Sequence, residues 1–223
     1  MYFFVPDHGH KDRRAFCEKH GIGLLYSPHR NLYPKSNHYI IDNGAYSAFL
    51  KGQRLDLDRY YEFLNVIRNY PVPPYFVTIP DIVAGGIGSK TFSEENIPRI
   101  PFEFKRYFVV QDGQYPAILE DILPLIDGVF VGGSTIWKWR SAASWVDWAH
   151  DNGKRCHIGR VGTWRNYTRA LNLGADSADG STPTRHQRLE ELAKWIEEQH
   201  CQKILDKEDW MLKVEKATAL ERT

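Results

Sequence analysis

Acidic, amide and glycine residues recur at one kind of place in this 223-residue chain, directly after short apolar runs. Asp42-Asn43-Gly44 follows Tyr39-Ile40-Ile41, Pro80-Asp81 follows Ile79, Gln111-Asp112-Gly113 follows Val109-Val110, and Asp179-Gly180 follows Asp176-Ser177-Ala178. Gly132-Gly133-Ser134 and Gly159-Arg160-Val161-Gly162 bring the set to six segments. Two carboxylates facing each other across a cleft can divide the labour of glycosidic chemistry. One attacks the anomeric carbon and the other handles the leaving-group proton. Asp42 and Asp179 are the candidates for that pair. Asp81 can accept from two adjacent N–H groups of a planar ligand, and Gln111 can present both a donor and an acceptor. Gly132 and Gly133 allow close approach of a ligand to backbone N–H groups. Each residue also has a plain structural alternative: an Asx turn or helix cap, a satisfied buried amide, a tight turn. The convergence of six segments favours a site over six separate turns.

Such residues need a scaffold that gathers strand ends. Continuous apolar runs, the pattern of parallel strands buried on both faces, span residues 2–6, 23–27, 38–42, 75–79, 106–111, 128–131 and 155–158, with a less apolar run at 175–178. Helical spacing or caps mark 12–20, 58–69, 141–151, 164–173 and 184–200. The connection 29–37 is too short for a full helix, and 85–105, with Gly85-Gly86, Pro98 and Pro101, reads as a loop with a short helix. Alternating strands and helices mean a parallel α/β fold, and eight strands predict a compact (β/α)8 TIM barrel, in which all strand ends share one face. An open doubly wound sheet is the alternative, but no G-x-G-x-x-G or P-loop supports a nucleotide-binding version of it. The expected organisation is one barrel domain over 1–200 and a charged, helical tail over 201–223.

Composition narrows the function classes. Hydrophobic residues make up 42% and charged residues 26%, which is globular usage. The net charge is +1, so nucleic-acid binding would need a local patch. Lys138, Arg140, Arg160, Arg165, Arg169, Arg185 and Arg188 fall in or after three consecutive strand-end segments. Lys138, Arg160, Arg165 and Arg185 are the candidate phosphate contacts, with solvated helix surface as the alternative. Tyr46, Phe49 and Trp137 could sandwich a flipped base, or pack in the core. His157 reads as a buried structural histidine. The three cysteines, Cys17, Cys156 and Cys201, form no C-x-x-C pair, so neither a zinc site nor a disulfide framework is expected. No apolar run reaches membrane-spanning length, and the start carries no basic n-region. The expected setting is a reducing cytoplasm, including a host cytoplasm if the chain is phage-encoded.

Taken in order, IDNGAY (41–46), PDIV (80–83), VVQDG (109–113), VGGS (131–134), HIGRVGT (157–163) and GADSADGSTPTR (174–185) resemble the tRNA-guanine transglycosylase superfamily. The closer resemblance is to its DNA-modifying branch, the DpdA-like 7-deazaguanine DNA transglycosylases. The resemblance implies a (β/α)8 barrel that exchanges guanine in a polynucleotide for a 7-deazaguanine base, with no cofactor. By motif position it implies Asp179 as covalent nucleophile and Asp42 as general acid/base. It also implies Asp81, Gln111 and Gly133 as base-recognition positions, with Asn43, Tyr46 and Gly132 beside them. The tRNA enzymes carry a cysteine-rich zinc subdomain, for which no residues follow Cys156 except Cys201. DNA is therefore expected over tRNA, with a partner subunit or homo-oligomer left open. A nucleoside or glycoside hydrolase using the same aspartates, and a non-catalytic nucleic-acid-binding subunit, are the competing readings.

Overall fold

The computed structural model describes residues 1–28, 33–185 and 188–199. Eight parallel strands close into a barrel in sequence order. They are β1 (Tyr2–Pro6), β2 (Gly23–Tyr26), β3 (Tyr39–Ile41), β4 (Val77–Thr78), β5 (Arg106–Val110), β6 (Gly128–Val131), β7 (Arg155–Ile158) and β8 (Ser177–Asp179). Closure is made by β1 against β8, with Phe3 opposite Ala178 and Phe4 opposite Asp179. Helices α1 (Lys11–Lys19), α2 (Ala45–Leu50), α3 (Leu57–Ile67), α4 (Gly86–Asn96), α5 (Thr135–Asp151) and α6 (Trp164–Asn172) connect strands, and α7 (Thr182–Arg185) follows β8. A 3-10 helix, Pro116–Leu125, replaces the α-helix between β5 and β6. The expected (β/α)8 barrel is thus the observed fold.

The chain groups into two compact units, Met1–Thr182 and Pro183–Thr223. The first contains every strand. The described part of the second carries a helix over 189–199. The tail expected over 201–223 lies outside the described residues. No helix among those residues is long and apolar enough to cross a membrane.

Aromatic rings fill the barrel interior. Phe4, Ile40, Phe76 and Tyr107 form a fully buried cluster, with Phe130 packed against it. Phe76 and Tyr107 stack with centroids 3.9 Å apart. Room for these rings comes from missing side chains: a Cβ on Gly23 would sit 2.3 Å from Phe4, and one on Gly159 would sit 2.4 Å from Phe130. Both spacings are far inside van der Waals contact, so large rings and glycines are coupled choices.

The expectation lacked α2 and the Pro116–Leu125 helix, and other elements differ from it as well. The ladder of β4 shortens to Val77–Thr78, although Tyr75 and Ile79 still donate to Tyr39 and Tyr107 carbonyls. Helix α5 begins six residues earlier than 141, because Ser134 caps it by accepting from the Trp137 N–H. Helix α4 runs for 11 residues through a segment expected to be mostly loop. Two buried serines anchor it: Ser93 donates to the Pro80 carbonyl, and Ser89 accepts from the Ile82 N–H. These tertiary bonds outweigh the poor helix propensity of Gly86 and Gly88.

Candidate active site

All eight strands run the same way, so their C-terminal ends form one rim. Asp42 follows β3, Asp81 lies three residues after β4, Gln111 follows β5, Gly132-Gly133 follows β6, Gly159-Arg160 follows β7, and Asp179 ends β8. The barrel therefore brings together every segment singled out for chemistry.

Asp179 is buried and held from two sides. Its Oδ2 accepts from His157 Nε2 at 3.0 Å, and its Oδ1 accepts from the Arg160 N–H at 3.3 Å. The other ring nitrogen of His157, Nδ1, is 2.8 Å from Ser177 Oγ. A carboxylate only accepts, so Nε2 carries the proton and Nδ1 takes the serine hydroxyl as donor. Burial lowers the His157 pKa, against the opposing pull of Asp179, so the imidazole is neutral at neutral pH. Its ring stacks on Phe130 at 4.4 Å and meets Phe76 edge-on at 5.1 Å. His157 is indeed buried, and it also orients the candidate nucleophile, a role the sequence reading did not give it. The available signal was the alternation of Arg155, Cys156, His157 and Ile158, which points His157 and Arg155 to the same face of β7.

The Gly159-Arg160 turn that feeds this cradle is strained. Arg160 has φ 58°, a left-handed conformation uncommon outside glycine. Beneath it lies Lys138, only 1% exposed. Its ammonium donates to the Gly159 carbonyl at 2.5 Å and sits 3.5 Å from the Arg160 carbonyl. With these carbonyls turned toward Lys138, the Arg160 N–H faces Asp179. Burial, then the charge of Arg160, lowers the Lys138 pKa to about 8, opposed by Asp179. Lys138 was expected to contact phosphate. The structure corrects this: on the inner face of α5 its ammonium is used up inside the protein.

Asp42 is partly exposed at the mouth, with its Oδ2 accepting from the Gly44 N–H at 3.1 Å. Burial of the carboxyl, then the charges of Asp179 and Asp81, raise its pKa from 3.8 to about 7, partly opposed by that N–H. Asp81 is buried and raised to about 6, chiefly by burial, with the Asn43 and Gln111 hydrogen bonds opposing. Its Oδ1 accepts from Asn43 Nδ2 at 2.9 Å and its Oδ2 from Gln111 Nε2 at 2.6 Å. Gln111 keeps one amide proton free of these bonds, while its Oε1 lies 3.4 Å from the Ala84 N–H.

Two expected ligand contacts are reassigned. Asn43 spends both amide protons, on the Ile79 carbonyl and Asp81, and its Oδ1 accepts from the Ala45 N–H. It positions Asp81 and has no donor left for a ligand. The Gly132 N–H is taken by the Val110 carbonyl in the barrel ladder. Gly133, at φ 65°, is the glycine whose N–H has no partner among the described residues. Asp112 fastens this turn by accepting from both the Ser134 N–H and its hydroxyl.

On the rim, the Arg160 guanidinium donates to the Gly133 carbonyl and lies 4.6 Å from the Tyr46 ring centroid. Tyr46 is 41% exposed, so one face of this pair meets solvent. Phe49 is exposed and Trp137 half-buried. Arg165 is exposed near the start of α6, as a phosphate contact would need. The Arg185 side chain lies outside the described residues. One strand-end carboxylate escaped the sequence reading. Asp7, just after β1, is buried and pairs with Arg14 at 3.2 Å. Its Pro6-Asp7 context matches that of Pro80-Asp81.

Among the described residues no three His, Cys, Asp or Glu side chains group as a metal site. No protein-family model matches the chain, and a comparison with curated proteins gives no match either.

Proposed function

We propose that this protein exchanges guanine in DNA for a 7-deazaguanine base through a covalent aspartyl–sugar intermediate. The observation that carries the reading is the cradle of Asp179, two donors on two oxygens, in the same barrel mouth as Asp42, whose carboxyl pKa is raised to about 7.

In the first displacement an Asp179 oxygen forms a bond to C1′ as the C1′–N9 bond breaks. Asp42, protonated at the outset, gives its proton to N9 of the departing guanine. In the second, the incoming base returns an N9 proton to Asp42, and its N9 displaces the aspartyl ester. Each displacement makes one bond to C1′ and breaks one, with one proton passed between Asp42 and N9, and Asp42 ends as it began. Two displacements preserve the anomeric configuration. A pKa of about 7 suits both transfers, since neither protonation state is far in energy at neutral pH.

Asp81 supports guanine as the base. A buried carboxylate held on both oxygens by Asn43 and Gln111 complements two neighbouring N–H donors on a purine edge. The free Gly133 N–H and the remaining Gln111 donor suit a ring carbonyl. The target nucleotide has to leave the stack, because C1′ and the base edge are not accessible in a duplex. Arg160 over Tyr46, with Arg165 beyond, supports a polynucleotide ligand. The absence of a cysteine cluster in the sequence favours DNA over tRNA.

The test is incubation with DNA and with tRNA, each labelled at guanine, in the presence of 7-cyano- or 7-aminomethyl-7-deazaguanine. Label is expected to leave DNA only when a deazaguanine is supplied. Release from tRNA alone overturns the DNA assignment, and release without added base makes the protein a hydrolase. Asp179→Ala is expected to abolish release while the protein still folds, as judged by a cooperative melting curve. A folded Asp179→Ala protein that still exchanges would remove Asp179 as nucleophile.

A further inference from the structure

We infer that the cavity between the β3–α2 turn and the start of α3 binds the sugar–phosphate backbone flanking the flipped nucleotide; this rests on the polynucleotide reading above. The cavity has a volume of about 280 Å³, and its wall includes Asn43, Gly44, Lys51, Arg54, Asp56 and Arg59. That is the small end of ligand sites, with room for one phosphate and its sugar. Three lining residues are cationic and one is acidic. The acid is already engaged: Asp56 Oδ1 caps α3 by accepting from the Arg59 N–H at 3.1 Å. Lys51 and Arg54 are exposed, and neither side chain pairs with a carboxylate among the described residues. A concave wall with surplus positive charge complements a phosphodiester.

Position ties this cavity to the mouth. Two lining residues are also parts of the site: the Gly44 N–H donates to Asp42, and the Asn43 amide donates to Asp81. The cavity wall thus includes the two residues that directly follow Asp42 in the chain. Around the eight-stranded ring, the β3 end lies four strands from the β7 end that carries Arg160. The Arg160 guanidinium nonetheless reaches Tyr46 of α2, the helix that also lines the cavity, so a strand leaving Lys51 and Arg54 meets Arg160 at the mouth beside the extruded base.

The experiment is fluorescence anisotropy with a labelled single-stranded oligodeoxynucleotide, an oligoribonucleotide of the same sequence, and dGMP as competitor, over about 50–200 mM salt. The full-length protein is compared with K51E/R54E and with the milder K51Q/R54Q. Both positions are exposed, so melting temperatures are expected to match. Losing two phosphate contacts is expected to weaken oligonucleotide binding about tenfold or more at low salt, and to lower the log–log salt slope by about 1.4 for a single strand. The glutamine pair is expected to fall between. Wild-type binding with an unchanged K51E/R54E affinity and slope overturns this inference alone. A loss on DNA, with or without one on RNA, supports the inference; a loss on RNA alone, or displacement by dGMP at the oligonucleotide's own affinity, overturns it. If the unaltered protein binds neither polymer, the polynucleotide reading itself falls.

Discussion

Replacing Asp42 by asparagine is expected to inactivate the protein and at the same time stabilise it, with a pH dependence that can be worked out in advance. Folding moves the Asp42 carboxyl from 3.8 to about 7, by burial first and then by the charges of Asp179 and Asp81. Between those values the folded chain holds a proton that the unfolded chain has released. Stability from this group is thus full below about pH 3.8 and is lost as pH rises through about 7. At 1.36 kcal/mol per unit the whole shift is worth about 4 kcal/mol once Asp42 is ionised in both states. Asparagine keeps an oxygen for the Gly44 N–H and carries no charge. The stability advantage of Asp42→Asn over the unaltered protein should therefore grow by about 2–3 kcal/mol between pH 5 and pH 8 and then level off. For a chain of this size the plateau corresponds to a rise in melting temperature of about 10 °C. Urea unfolding of both proteins across this range reads the difference directly, and Asp81, also raised, is present in both. A difference that stays flat from pH 5 to pH 8 would refute the reasoning, because it would mean that folding does not perturb Asp42.

The other expectations concern what holds Asp179 and Gly133. His157→Ala removes a fully buried ring stacked on Phe130 and should cost about 3 kcal/mol; a loss below about 1 kcal/mol in chemical denaturation would show that the barrel interior repacks. Lys138→Met removes the ammonium that holds the Gly159 and Arg160 carbonyls. Exchange should slow at least about tenfold, because the Arg160 N–H loses its aim at Asp179; a folded variant that exchanges at the unaltered rate would refute this role. Gly133→Ala places a Cβ 2.5 Å from Trp137 and 2.6 Å from Asp112 at φ 65°. A loss of about 2 kcal/mol is expected from the clash and the left-handed backbone together, and a melting curve matching the unaltered protein would contradict it.

The strand ends and the barrel were legible in the chain because both rest on local patterns. Parallel strands buried on both faces must be apolar along their length, so β1, β6 and β7 appear in the sequence at their observed bounds. A barrel then dictates that Asp42, Asp81, Gln111, Gly133 and Asp179 meet, whatever the loops do. Local pattern fails where a long-range bond decides. Helix α4 runs longer than the short helix expected there because two serines reach backbone groups outside it.

Which member of the rim does what was decided only by tertiary structure. In sequence, Lys138 and Arg165 are equivalent basic residues after strand ends, yet α5 turns one inward under a strained turn while the other stays in solvent. Asn43 stands beside Asp42 and reads as a ligand contact, but Asp81, 38 residues away, takes its amide proton. His157 is one apolar-strand residue among several until β7 and β8 pair and bring Asp179 to 3.0 Å. Hydrogen bonding and electrostatic coupling act over a few ångströms between residues far apart in the chain. Residue types and strand order determine which groups meet; the protonation and free valence of each are set by neighbours that only the closed barrel supplies.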